Sequence, residues 1–150
     1  MRNKNIPSFF VKRSDGGKNS GVTAYFLIEW KPVFSVGILH FKKGSREAYH
    51  THAFNALTWW LKGKVTEDRI KSLIVKGNDV ISVEDIVKKD FKPSVKPKYT
   101  SRKNLHKINA HVDTYALTFR GRWENTWIEV IGDKIINLTH GRKKFRTNNI

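Results

Sequence analysis

Short runs of mixed apolar and polar residues recur along the chain. They are VTAYFLIEW (22–30), VFSVGILHF (33–41), ALTWWL (56–61), KVTEDRIKSLIV (64–75), NDVISV (78–83), DTYALTF (113–119), TWIEVI (126–131) and KIINLT (134–139). β-Branched and aromatic residues dominate them, and Gly, Pro or Asn punctuates the gaps, so each is expected to be a strand. Only VEDIVKKDF (83–91) reads as a short helix, and the cationic, proline-containing KPSVKPKYTSRKN (92–104) reads as an extended loop. Many short strands with frequent turns indicate an all-β sandwich or barrel. The expected core is Phe26, Ile28, Val36, Ile38, Leu57, Trp59, Leu61, Leu73, Ile81, Leu117, Phe119, Trp127 and Ile128. TWWL places large side chains on both faces of one strand.

The flanks differ in character. Residues 1–21 are basic and contain Gly16, Gly17 and Gly21, which suits a flexible arm, although Ile6, Phe9, Phe10 and Val11 can dock as an edge strand. Residues 22–138 form the barrel domain and residues 139–150 a basic tail. At 150 residues the chain fits one domain. The net charge of +16 favours polyanions or anionic small molecules as partners. Without cysteine, disulfides, thiolate ligands and a Cys nucleophile are excluded. No apolar run is long enough to span a bilayer, and no signal peptide is evident at the N-terminus, so no membrane partner and a cytoplasmic location are expected.

The candidate chemistry lies in GSREAYHTHAFNALTWWLKG (44–63). On a strand, His50 and His52 point to the same face and can share one cation. The alternative is a hydrogen-bonded polar pair, and two ligands alone do not make a firm site. The pattern Gly44, five residues, His50-Thr51-His52, then Gly63 resembles the first motif of the cupin superfamily. The family's Glu is absent: Ala56 or Leu57 stands at that place, with Asn55 the nearest polar residue. His106, in LHKIN, resembles the histidine of the second motif, with His111 as a substitute and without the usual Pro-x-Gly. Thr66-Glu67, His106-Lys107-Ile108, Phe119, Gly121, Arg122 and Trp127 also resemble the pattern of small cupin-like proteins common in phage and bacterial genomes, over residues 33–131.

This resemblance implies a double-stranded β-helix, a cupin or jelly-roll barrel. It implies a divalent transition metal, Fe(II), Zn or Mn, held by His50, His52 and His106. Three neutral imidazoles leave the full charge of the ion and open coordination positions. Such a site can activate water, or hold substrate and dioxygen together on Fe(II). Asn55, Glu47 and Glu67 are candidates to orient a ligand or act as base. Arg120 and Arg122 are candidates to grip an anionic substrate, and Tyr49 to contact it. The first expectation is therefore a small metal-dependent enzyme, of oxygenase or hydrolytic type, acting on an anionic substrate. The alternative is a non-enzymatic basic cupin, an inhibitor or accessory protein of phage type, binding nucleic acid or an acidic host protein. Lys88, Lys89, Lys92, Lys96, Lys98, Arg102 and Lys103, with Lys107 nearby, would make that contact, and Phe91, Tyr99 and Phe145 would stack on bases. Pairing through an edge strand or swapped arm allows a homodimer.

Overall fold

The computed structural model describes residues 6–15, 20–45, 48–139 and 143–145. Glu47, Arg142, Arg146 and the first five residues lie outside this set.

Strands account for nearly all regular structure. The first sheet holds β1 (Ser8–Ser14), β2 (Val22–Trp30), β3 (Phe34–Phe41), β6 (Ala56–Lys62), β9 (Lys98–Thr100) and β11 (Thr114–Arg120). Its antiparallel order is β1-β2-β3-β11-β6-β9. The second sheet holds β4 (Gly44–Ser45), β5 (Tyr49–His50), β7 (Val65–Lys76), β8 (Asp79–Phe91), β10 (Leu105–Ala110), β12 (Thr126–Ile131), β13 (Lys134–Thr139) and β14 (Lys143–Phe145). It runs β12-β5-β10-β7-β8-β13-β14, with β4 also on β10, and β12 pairs with β13 as well. The expected all-β jelly-roll barrel is thus observed. Among the described residues no helix is long and apolar enough to cross a membrane.

Three segments differ from expectation. Residues 83–91 are the second half of β8, not a helix. Glu and Lys there favour helix weakly, but Val83 pairs with Leu73, Ile86 with Ile70 and Val87 with Arg69 across the hairpin, and cross-strand packing overrides propensity. Within the N-terminal arm, residues 8–14 dock as the edge strand on β2. Lys98–Thr100, within the expected loop, pairs with β6.

The core takes the opposite phase to the one expected on β3, β6 and β11. Inward positions are Ser35, Gly37, Leu39 and Phe41; Ala56 and Trp60; and Ala116, Thr118 and Arg120. The larger residues Val36, Ile38, Leu57, Trp59, Leu61, Leu117 and Phe119 face outward, half-buried or exposed. Small inward residues leave space, and that space is the cavity described below. Phe26 alone of the expected set falls fully in the main core, with Val22, Ala24, Leu39, Phe41, Trp60, Val65, Ala110 and Ala116.

The two motif glycines have backbone reasons. Gly44 has φ +117° and Gly63 φ +100°, conformations that L side chains rarely adopt. At Gly63 an added Cβ would also lie 2.3 Å from the Thr114 hydroxyl.

Candidate metal centre

The register of neighbouring strands assembles the histidines. His50, on β5, lies directly opposite His106 on β10, a pairing that puts Cβ atoms about 5 Å apart. His52 follows β5, with the backbone between them held by the Thr51 N–H to the Ile128 carbonyl at 3.0 Å. Ring centroids are 4.8 Å apart for His50 and His52, 5.0 Å for His50 and His106, and 5.1 Å for His52 and His106. Nε2 of His52 meets Nε2 of His106 at 2.9 Å. One candidate ligand atom from each ring lies within 4.8 Å of the others. Two nitrogens on one ion can be at most about 4.2 Å apart at bonds of about 2.1 Å. An ion would therefore draw the widest pair together, which a side-chain rotation supplies.

Protonation suits this role. Burial, and then the neighbouring His50, His106 and Arg120, holds His52 well below the usual imidazole range, so its ring is neutral at pH 7. His106 Nδ1 lies 2.6 Å from a Glu67 carboxylate oxygen. Burial pushes Glu67 up, but hydrogen bonds from His106 and Lys98, and the Lys98 charge, outweigh it and bring its pKa to about 2. An ionised Glu67 accepts Nδ1–H, which leaves the His106 Nε2 lone pair pointing to His52. Lys98, on β9, pairs with the same Glu67 oxygen. The residues present therefore fit a metal ion: three buried or half-buried imidazoles, a fixed tautomer on one, and a carboxylate behind it.

The group opens on a cavity with about 70 Å³ of room for water-sized spheres, space for several waters or one compact ligand. Its walls include Leu39, Phe41, Phe54, Trp60 and Ile108 on the apolar side and Thr58, Thr100, Thr118, Lys98, Arg120 and Asp15 on the polar side.

The sequence candidates divide. His50, His52, His106, Glu67 and Arg120 all line this cavity. Asn55 is exposed and uses Oδ1 to accept the Arg102 N–H at 2.8 Å. Arg122 is exposed, outside the lining. Tyr49, one residue from His50, points to the other face, packs with Ile70, Leu105 and Val130, and carries the Lys107 ammonium 4.8 Å from its ring. His111 bonds Thr66 at 2.6 Å on the surface. Glu47 lies outside the described residues. Of the basic set, Lys88, Lys89, Lys92, Lys96 and Lys103 are exposed and Arg102 is half-buried, whereas Lys98 turns inward to Glu67. Phe91 packs on Trp60 at 6.0 Å between the ammonium groups of Lys89 and Lys98, so its ring is not presented for stacking. Tyr99 is exposed. Phe145 has no described side chain.

Sequence reasoning missed Asp15, Phe54 and the inward turn of Lys98 and Trp60. The alternation of Lys98 and Thr100 about exposed Tyr99 was an available signal. Asp15, at the end of an edge strand, carried none.

No protein-family model matches the chain, and no curated protein matches it in sequence. Solved structures do match in shape. An RmlC-like cupin from Shewanella frigidimarina superposes with a TM-score of 0.51 at 11 % identity, over 75 % of this chain and 83 % of that one. The fold is the cupin fold. The capsular polysaccharide assembling protein CapF from Staphylococcus aureus gives 0.53 at 13 % identity over 75 % of this chain. Oxalate decarboxylase from Bacillus subtilis gives 0.51 at 15 % identity over 82 % of this chain. The chain spans 28 % of the length of CapF and 30 % of that of oxalate decarboxylase. At such identities the likeness concerns architecture, and function has to come from the site.

Proposed function

We propose that this cupin holds a divalent transition metal, Fe(II), Zn or Mn, on His50, His52 and His106 and is a small enzyme of oxygenase or hydrolytic type for an anionic substrate. The observation that carries this reading is the convergence of three imidazoles from two paired strands and the segment after β5 onto one cavity. The ion would supply Lewis acidity and open coordination positions there. The chain's own groups do the rest. Glu67 holds the His106 ring and its tautomer, and Lys98 balances the Glu67 charge. Phe41, Phe54 and Trp60 wall off bulk water, and Arg120 offers positive charge to an anion. Metal analysis of protein purified without a histidine tag tests the reading. At least about half an equivalent of one transition metal, lost in His50→Ala/His52→Ala, is expected. An equal, low content in both proteins refutes it.

A second reading has its own observation. Lys89, Lys92 and Lys96 line one surface groove beside Ser94 and Pro97, which suits a phosphate backbone or an acidic protein surface. This function needs no metal. Gel-shift assays with single-stranded DNA at two salt concentrations test the nucleic-acid form, and no shift at low salt removes it.

A further inference from the structure

Arg120 ends β11 inside the barrel and is 2 % exposed. Its guanidinium carbon lies 4.5 Å from the centre of the Phe54 ring and 5.3 Å from that of Phe26. Those contacts fix its plane. Its two terminal nitrogens donate to both oxygens of Asp15, at 3.2 and 2.8 Å. Its Nε has no hydrogen-bond partner, and neither has Nε1 of buried Trp60, which lines the same cavity. Phe54 also stacks on His52, with centroids 5.0 Å apart, so Arg120 and the histidine group share one wall.

The two halves of the Arg120–Asp15 pair are unequally held. Arg120 is enclosed by strands and rings and opens only to the cavity. Asp15 follows an edge strand, and its side chain is 27 % exposed. Its backbone is tied by its N–H to the Val22 carbonyl and by the Ser20 hydroxyl to its own carbonyl. A carboxylate that leaves Arg120 can hydrate, whereas a guanidinium left alone inside the barrel is costly. The cation is therefore the fixed element and the carboxylate the exchangeable one.

We infer that Arg120 is a carboxylate-binding subsite of the barrel and that Asp15 is an internal carboxylate filling it, displaced when a small carboxylate ligand enters. The inference rests on the metal-enzyme reading for the direction of the ligand, whose other end would face the histidines. Bidentate geometry on a planar guanidinium matches a carboxylate, and the unused Nε and Trp60 Nε1 hydrogens are further donors for it. Asp15 then competes with substrate and keeps the buried charge balanced when the cavity is vacant.

The test uses metal-free, full-length protein, so that its outcome is independent of metal content, which is measured separately. Asp15→Ala is expected to melt lower than wild type. Sodium formate or acetate at about 50 mM should restore about half of the lost melting temperature, as linkage to a single millimolar site gives, while sodium chloride of equal ionic strength should not. Wild type should respond little. Asp15→Asn, which keeps the shape and removes the charge, should show the same selective response and serves where the alanine variant does not fold. Equal responses to chloride and formate, or an equal formate response in wild type, would overturn the inference.

Discussion

Glu67 concentrates the residue-scale physics. Its folded pKa of about 2 lies below its ordinary value of 4.5. For a carboxylate lowered by folding, the stabilising contribution is complete above the unfolded pKa and disappears as pH falls through the folded one. Wild-type stability should therefore decline between about pH 4.5 and pH 2. Glu67→Gln should be less stable at pH 7 and show a flatter profile over that window, as read by urea melts at several pH values. An unchanged slope in the variant would mean that Glu67 does not carry the acid limb. A second residue-scale prediction concerns Gly63. Its positive φ and the Cβ clash with Thr114 make Gly63→Ala destabilising by about 2 kcal/mol or more. Gly44→Ala keeps the positive-φ cost but meets no atom within 4 Å, so it should cost less in the same denaturant series.

At the scale of elements, His50 and His52 were legible as a pair from their local spacing, although His52 lies just past the end of β5, and His106 was legible only through its resemblance to a known motif. Gly44 and Gly63 were legible through the motif spacing, and their positive φ is the physical reason glycine stands at both places. The facing of β3, β6 and β11 was not. Alternation fixes which residues share a face but not which face is inside, and ranking by size assumes an interior filled with the largest side chains. Here the interior holds Ser35, Ala116, Thr118 and Arg120, because it must leave room for a cavity. The same logic hid Asp15, whose partner is 105 residues away. Residues 83–91 failed for another reason, since only pairing with β7 makes them a strand. That dependence predicts uneven stability along the hairpin. Its base holds buried Val65, Glu67, Asp68 and Ile70, while residues 74–78 are exposed. Amides of residues 73–84 should exchange with deuterium well before those of 65–70 and 114–120. Equal protection along β7 would contradict this.

At the scale of the whole molecule, charge and cavity are separated. The inward cations Lys98 and Arg120 are each paired with a carboxylate, Glu67 and Asp15, so the interior adds little to the excess of +16. The excess is an outer-surface property, and part of it lies in the groove of Lys89, Lys92 and Lys96. A polyanion held there would release counterions in proportion to the phosphates neutralised. Lys89→Glu/Lys92→Glu/Lys96→Glu lowers the net charge by six, two for each change, from +16 to +10. It should weaken single-stranded DNA binding at low salt and reduce the log–log salt slope by about 2. Because none of the three touches the histidines, metal content should be unchanged. A variant that lost DNA binding and metal together would signal unfolding. One that kept the wild-type salt slope would move the polyanion contact away from this groove, to other cations of the surface.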